Sequence, residues 1–410
     1  MIKFLIGGSP CTFWSVASGK NRETKPEGLG WELFLNYLIA KEKLKPDYFL
    51  YENNKSVDKS IKAQISSKLG VPLQHINSAL VSAQNRERFY AHNFGDVPLP
   101  EDRGILLRDI LESGSAVREK SHCLDACYYK GGNHSSPHKQ SGRRLMVYEP
   151  LAMAEKSQTI LSTMYKENAL SMATRGKAGL FCAYPVRPAA PVRIGKIESN
   201  AKNQDIKYDG KAYRVYSPYG KSVTVCGGGG LGVKTGMYAC PVTCNAVDKP
   251  IYEVNGGLIT IKGKEYPIRL PDGFYIIRKL SVVEVCRLQT LPDYYCRAVS
   301  NSQAYRALGN SWNAETIIHL LSYALKGVPK NERIICLSMY DGIATGHYCF
   351  TKMGYTNIAY YSYEIDKYAK QVAMSNFPDI VQCGDAFQVR ENDWFMERAV
   401  GAWEKFYKNA

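Results

Sequence analysis

Cys11 stands immediately after the apolar run Phe4 to Ile6 and the short link Gly7-Gly8-Ser9-Pro10. A thiol just past a strand tip lies where open α/β sheets gather their chemistry. As a thiolate it is a nucleophile that can split one difficult step into two. Glu52 follows a second apolar run, Tyr48 to Tyr51, in the same way, and a carboxylate there can hold or pass a proton. Arg86 and Arg88 lie two apart in Gln84-Asn85-Arg86-Glu87-Arg88, a spacing that points both to one side of an extended strand. Taken singly, each also fits a plainer description: a buried inert cysteine, a surface charge pair.

A second informative stretch lies more than three hundred residues downstream. The apolar run Ile334 to Met339 ends in Tyr340-Asp341-Gly342-Ile343-Ala344-Thr345-Gly346, a glycine-containing turn into a helix. The next apolar run, Ile358 to Tyr363, carries Glu364-Ile365-Asp366 at its tip, and Ile380 to Cys383 ends in Gly384-Asp385-Ala386. Strand, glycine turn, helix, strand and an acidic residue about twenty positions on is the nucleotide-binding logic of a doubly wound sheet. The turn is not G-x-G-x-x-G. Lacking a phosphate cradle, it suits a phosphate-free adenosine cofactor such as S-adenosylmethionine.

These residues need a sheet to hold them. The first hundred residues read as α/β, with helical spacing over Gly30 to Ile39, a polar helix from Val57 to Leu69, and a strand from Gln74 to Val81. From about Ser115 to Asp272 clean helical periodicity disappears, and Gly, Ser, Tyr and Lys dominate. Glu119-Lys120-Ser121 to Tyr129-Lys130 is echoed by Glu155-Lys156-Ser157 to Tyr165-Lys166, which suggests a small β-rich domain. Its interleaved basic and aromatic residues suit phosphates and bases. The spacing of Cys123, Cys127, His134 and His138 loosely evokes zinc, but the second repeat copy lacks cysteines, so no metal is assigned. The α/β character returns with an amphipathic helix from Arg278 to Leu288, where Ser281 is the expected N-cap and Glu284 stands three residues on.

Across its 410 residues the chain has 53 Lys+Arg against 38 Asp+Glu, a net charge of +15, which favours a polyanionic partner and nucleic acid first. No apolar run reaches the roughly 18 residues of a membrane span, and no secretory leader is recognisable. Twelve scattered cysteines read as reduced thiols of a cytosolic protein.

Taken together, these stretches resemble the DNA (cytosine-5) methyltransferases. Gly8-Ser9-Pro10-Cys11 is similar to the family's Pro-Cys motif, and Glu52-Asn53-Asn54 to its Glu-Asn-Val motif, with Asn54 in place of Val. Gln84-x-Arg86-x-Arg88 is similar to its Gln-x-Arg-x-Arg motif, while Arg278 to Arg287 and Gln303 to Ser311 resemble its last two motifs. The turn Tyr340 to Gly346, with Trp312, is most like the animal de novo branch, and Arg214 to Gly236 is more like bacterial recognition domains. The cofactor motifs here follow the cysteine instead of preceding it, so the order suggests a circular permutation.

The resemblance implies a permuted Rossmann-like α/β methyltransferase domain with a smaller β-rich target-recognition domain. Residues 1–115 and 273–410 would form the first and 116–272 the second. It implies methyl transfer from S-adenosylmethionine to C5 of a flipped-out cytosine in duplex DNA, through a Cys11–C6 adduct. Glu52 would engage N3 and the exocyclic amine, Arg88 would hold O2, and Arg86 would support the cysteine region or a loop. The cofactor would meet Pro10, Tyr340, Asp341, Gly342, Ile343, Ala344, Thr345 and Gly346. Glu364 would take its ribose and Asp385 its adenine amine, with Ile365, Asp366, Ala386, Asn310 and Trp312 close by. Ser15, Lys20, Arg214, Gly228, Gly229 and Lys234 would touch DNA. Methylation of RNA, or an inactive DNA-binding relative, are the alternatives. The expected setting is cytoplasmic and nucleoid-associated, of bacterial or phage origin. The expected form is a monomer with no membrane partner, and a cognate restriction endonuclease is a candidate companion.

Overall fold

The computed structural model describes residues 1–15, 19, 21–124, 126–130, 145–150, 193–196, 214–216, 237–238, 251–261 and 263–391. Lys20, Gly228, Gly229 and Lys234 lie outside these, as do His134, His138 and the second repeat copy, and the Arg214 side chain is not described. The chain divides into two compact units. One comprises Met1–Glu112, Arg118–Leu145 and the chain from Leu280 on; the other comprises Ser113–Val117 and Met146–Lys279. Arg118–Leu145 therefore sits with the first unit, whereas the sequence placed it in the middle segment.

The first unit is built on seven strands: β1 (Ile2–Gly7), β2 (Tyr48–Asn54), β3 (Leu73–Asn77), β4 (Glu87–His92), β5 (Ile334–Met339), β6 (Ile358–Tyr363) and β7 (Val381–Gly384). Their order is β7-β6-β5-β1-β2-β4-β3. The pairs from β7 through β2 are parallel, and β4 runs antiparallel to both β2 and β3. All six residues of β5 are buried, and so are Phe4, Leu5 and Ile6 of β1. Such continuous apolar runs are what a parallel sheet covered on both faces requires.

Helices α1 (Gly28–Leu44), α2 (Lys59–Leu69), α3 (Val282–Leu288), α4 (Asn301–Asn310), α5 (Ala314–Ala324), α6 (Thr345–Lys352) and α7 (Lys367–Asn376) accompany the sheet. Phe34 and Tyr37 of α1 pack with Leu5, Tyr51, Leu337 and Tyr363 on one face. On the other face α6 sets Phe350 edge-on to Phe4, ring centroids 5.2 Å apart. A Cβ at Gly346 would come 2.3 Å from Ile6 Cδ1 and 2.7 Å from the Tyr360 hydroxyl, so glycine lets α6 approach the sheet this closely. From β5 the chain winds through α6 and α7 to β6 and β7; from β1 it winds the opposite way through α1 to β2. The winding reverses between β5 and β1, and a crevice opens beyond the carboxyl ends of strands at such a point.

Local signals explain the ends of these elements. Ser281 Oγ accepts from Glu284 N at 3.1 Å while the Glu284 carboxylate accepts from Ser281 N at 2.8 Å, the reciprocal cap read from the sequence. The expected strand from Gln74 to Val81 stops at Asn77, whose side chain accepts from Ala79 N and turns the chain into the 3-10 turn Ser78–Leu80. In the second unit, Lys264–Pro267, Leu258–Ile261, Ile251–Asn255, Gly273–Arg278, Val147–Pro150 and Ser115–Ala116 form, in that order, a six-stranded antiparallel sheet. Tyr148, Val254, Ile259, Ile261 and Ile277 supply its core. Arg193–Lys196, Arg214–Tyr216 and Met237–Tyr238 make a separate three-stranded sheet.

Candidate active site

A cavity of about 490 Å³ occupies the crevice of the first unit, a size suited to a small-molecule ligand. Cys11, Glu52, Arg86 and Arg88 line it, and so do residues of the Tyr340 turn and the tips of β6 and β7.

The thiol is placed by close approach of two strand ends. A Cβ on Gly8 would lie 2.3 Å from the Glu52 carbonyl oxygen, so only glycine lets the chain leaving β1 run against the end of β2. Asn53 Nδ2 donates to Ser9 O at 3.0 Å, and the Ser9 and Tyr51 hydroxyls are 2.7 Å apart. Cys11 then opens the 3-10 turn Cys11–Phe13. Beyond it Trp14 is fully buried, and its indole N–H donates to Glu23, whose carboxylate also accepts from Gly30 N at the start of α1. Burial pushes the Cys11 thiol above its ordinary range, opposed by Arg88 and, more weakly, Arg86.

Glu52 is held on both oxygens. Arg88 Nε lies 3.0 Å from Oε1, and Trp312 Nε1 donates to Oε2 at 3.0 Å. Arg86 is buried and plays a different part. It donates to Ser311 O at 2.6 Å and to Gly309 O at 3.3 Å, fixing the loop that carries Trp312. The two arginines do not share one continuous strand, because the ladder breaks at Arg86 and resumes in β4. Arg86 N donates instead to Asn77 Oδ1. Cys123 lies between the guanidinium groups, with its Sγ 3.4 Å from Arg86 Nη1 and 3.5 Å from Arg88 Nη2. It gets there because Gln84–Asn85 pairs in parallel with Ser121–His122. Burial raises its thiol, but the two arginines and their hydrogen bonds outweigh this and set it below its ordinary range.

The opposite wall is the turn after β5. Tyr340, Gly342 and Ala344 all have φ near +60°, a conformation that non-glycine residues rarely adopt. The Tyr340 hydroxyl donates to Leu33 O at 2.7 Å and the Tyr295 hydroxyl to Ile343 O at 2.9 Å, which hold the turn in place. Glu364 accepts backbone N–H groups from Gly342, Ile365 and Asp366 at 2.7–2.8 Å; even so, burial lifts its carboxyl above the usual range. Beside it Ile365 is 69% exposed, a bare apolar side chain at the cavity edge. Thr345 is 3% exposed, lines the cavity, and leaves its hydroxyl without a hydrogen-bond partner. An acidic acceptor, an apolar platform and an unpartnered hydroxyl fit a ligand with ribose hydroxyls, a flat ring and a polar tail.

Of the expected cofactor contacts, Pro10, Tyr340, Gly342, Ile343, Thr345, Glu364, Ile365, Asp385, Ala386, Asn310 and Trp312 line the cavity. Asp341 and Asp366 also reach it, but their carboxylates have other partners. Asp341 accepts from Ser338, Tyr360 and Ser362 hydroxyls, and Asp366 caps α7 through Tyr368 N and Ala369 N. Ala344, Gly346 and Ser15 are not among the lining residues. Sequence reasoning missed Phe387, Tyr368 and Leu29 on the lining and Cys123 beside the arginines. Cys123 directly follows Ser121–His122, and the partner of that segment, Gln84–Asn85, lies too far along the chain to be read from local sequence.

A doubly wound sheet with a ligand-sized cavity at its switch point, a thiol on one side and a glycine turn on the other, defines a cofactor-binding α/β domain. Residues 1–323 match the C-5 cytosine-specific DNA methylase family, and the chain belongs to that family. The family's fold is that of S-adenosylmethionine-dependent α/β methyltransferases. Among curated relatives, the Orphan methyltransferase M.Rho11sI of Bacillus phage rho11s is 31% identical over 123 residues, covering 27% of this chain and 24% of that protein. The Orphan methyltransferase M.SPRI of Bacillus phage SPR is 30% identical over 123 residues, 27% of each chain. The match thus spans about a quarter of each relative's length. Among the described residues, no helix is long and apolar enough to cross a membrane, and no group of three or more His, Cys, Asp or Glu is placed to hold a metal ion.

Proposed function

We propose that the protein methylates C5 of a cytosine flipped out of duplex DNA, through a covalent adduct between Cys11 and C6. The observation that carries this reading is the convergence of Cys11, Glu52 and Arg88 on a cavity bounded by the Tyr340 turn. The C5 position of cytosine is too poor a nucleophile to react unaided. Bond formation from Cys11 Sγ to C6 breaks the 5,6 double bond and makes C5 enamine-like. Glu52 bonds N3 and the exocyclic amine and shares a proton at N3, which offsets the charge developing in the ring. Arg88 holds O2. S-adenosylmethionine, when bound, supplies the methyl group; Glu364 would take its ribose hydroxyls, Ile365 its adenine face and Thr345 its polar tail. Transfer of the C5 proton to water then re-forms the 5,6 double bond, breaks the C6–S bond and releases Cys11 as its thiolate. The base must leave the duplex to reach the thiol.

The same reading includes a circular permutation. Counted from β5, the strands run 3-2-1-4-5 across β7, β6, β5, β1 and β2, the doubly wound order. The unit containing Met146–Lys279 would choose the DNA sequence, a role supported by its basic and aromatic composition. Incubation with labelled S-adenosylmethionine and duplex DNA, with single-stranded RNA in parallel, followed by bisulfite sequencing, tests the proposal. Label at cytosine C5 of duplex DNA is expected. Label on RNA alone, or on neither, refutes it, and a Cys11→Ala variant that still methylates refutes the adduct.

A further inference from the structure

Glu52 has two oxygens and about four lone-pair positions. One position on Oε1 faces Arg88 and one on Oε2 faces the Trp312 indole, each at 3.0 Å. The indole N–H donates to Oε2 while the ion pair with Arg88 holds Oε1 from the other side, and lone pairs on both oxygens remain for a substrate. Trp312 is itself held from both directions along the chain. Before it, Gly309 and Ser311 carbonyls accept from buried Arg86, and Leu308 O accepts from Gln289 Nε2 at 2.8 Å. After it, Asn313 caps α5 by accepting from Thr316 N at 3.1 Å, and its amide donates to Leu288 O at 3.1 Å. A donor anchored this firmly, aimed at a carboxylate 260 residues away, does more than fill space beside a cofactor.

Resting on the reaction proposed above, we infer that Trp312 is a positioning residue for Glu52: its indole N–H orients the carboxylate toward N3 and the exocyclic amine of the flipped cytosine. Arg86 belongs to the same device one step removed, because it fixes the loop from which the indole reaches.

The test is Trp312→Phe, which keeps an aromatic ring and removes the N–H. Single-turnover methylation of duplex DNA is measured at saturating S-adenosylmethionine, and cofactor affinity is measured separately by calorimetry. The methylation rate is expected to fall about 10- to 100-fold, as for loss of a hydrogen bond to a charged group. Cofactor Kd should stay within about twofold, which also reports a folded site. Introduced into Glu52→Ala, where no carboxylate remains to be oriented, Trp312→Phe should change the residual rate by less than about twofold. An unchanged rate in the single variant overturns the inference, and so does a loss of cofactor affinity that accounts for the whole defect. Effects that multiply in the double variant overturn it as well. A wild-type protein that methylates no duplex DNA instead removes the reaction on which the inference rests, so the two failures are distinguishable.

Discussion

Gly8→Ala is the smallest change that should disable the site without removing any of its chemical groups. The new Cβ would meet the Glu52 carbonyl oxygen at 2.3 Å, whereas real Cβ atoms essentially never come within 3.0 Å of another heavy atom. The obstacle is backbone: Glu52 lies in β2, paired with Tyr90 of β4, so it cannot rotate aside as a flexible side chain would. The two strand ends must part by about 0.7 Å, a shift comparable with the 1 Å misplacements that cost about 100-fold in rate. Cys11 lies three residues beyond the moved atom and Glu52 is the residue pushed. We expect single-turnover methylation to fall about 10- to 100-fold, and stability to fall by about 1–3 kcal/mol, as for an overpacked core position. Radiolabel transfer to duplex DNA and thermal denaturation measure the two effects. A variant with wild-type rate and wild-type melting would refute the argument that the approach of β1 to β2 sets the distance between thiol and carboxylate.

The two thiols near the arginines should differ in reactivity. Cys123 is held below its ordinary range by Arg86 and Arg88, which outweigh its desolvation, while desolvation holds Cys11 above its own. Peptide mapping after brief iodoacetamide treatment of the ligand-free protein should therefore show Cys123 labelled first. Its rate should level off at lower pH than that of Cys11, and the reverse order would contradict the assigned shifts. Glu364→Gln turns an amide toward backbone N–H groups that now meet a carboxylate. It should weaken S-adenosylmethionine binding about tenfold by calorimetry, and unchanged affinity would refute the role given to Glu364.

That Cys11, Glu52, the Tyr340 turn and Glu364 line one cavity was legible because they sit at or just past the ends of apolar runs, where sequence position indicates the strand tip. Ser281 with Glu284 was legible for a similar reason, since a cap is a local pattern. What was not legible is how distant segments use one another. Nothing in the local sequence says that Arg86 serves Ser311, that Trp312 serves Glu52, or that Cys123 falls between two arginines. Asp341 shows the same limit in reverse. A carboxylate in a glycine turn invites a ligand role, but here Ser338, Tyr360 and Ser362 from neighbouring strands surround it with hydroxyls, and the buried group stabilises the turn.

Arg86 and Arg88 belong to one short motif, yet the structure divides their work, and the division can be tested by a single type of substitution. Arg86 sends both terminal nitrogens into protein carbonyls and is 3% exposed. Arg88 has five N–H donors. One faces Glu52, one Glu87 O and one the Cys123 sulfur, the last at a long 3.5 Å. That leaves one N–H on each terminal nitrogen for a base carbonyl. Lysine keeps the charge but not the planar fork. Arg86→Lys should therefore lose the double anchor on Gly309 and Ser311 and lower stability by about 1.5–3 kcal/mol. Arg88→Lys should melt nearer the wild type and lose rate, because the geometry that serves Glu52 and the base at once is gone. Thermal denaturation and single-turnover methylation on both variants separate the two roles. If Arg88→Lys is the less stable protein and Arg86→Lys melts like the wild type, the assignment of anchor and substrate ligand is reversed.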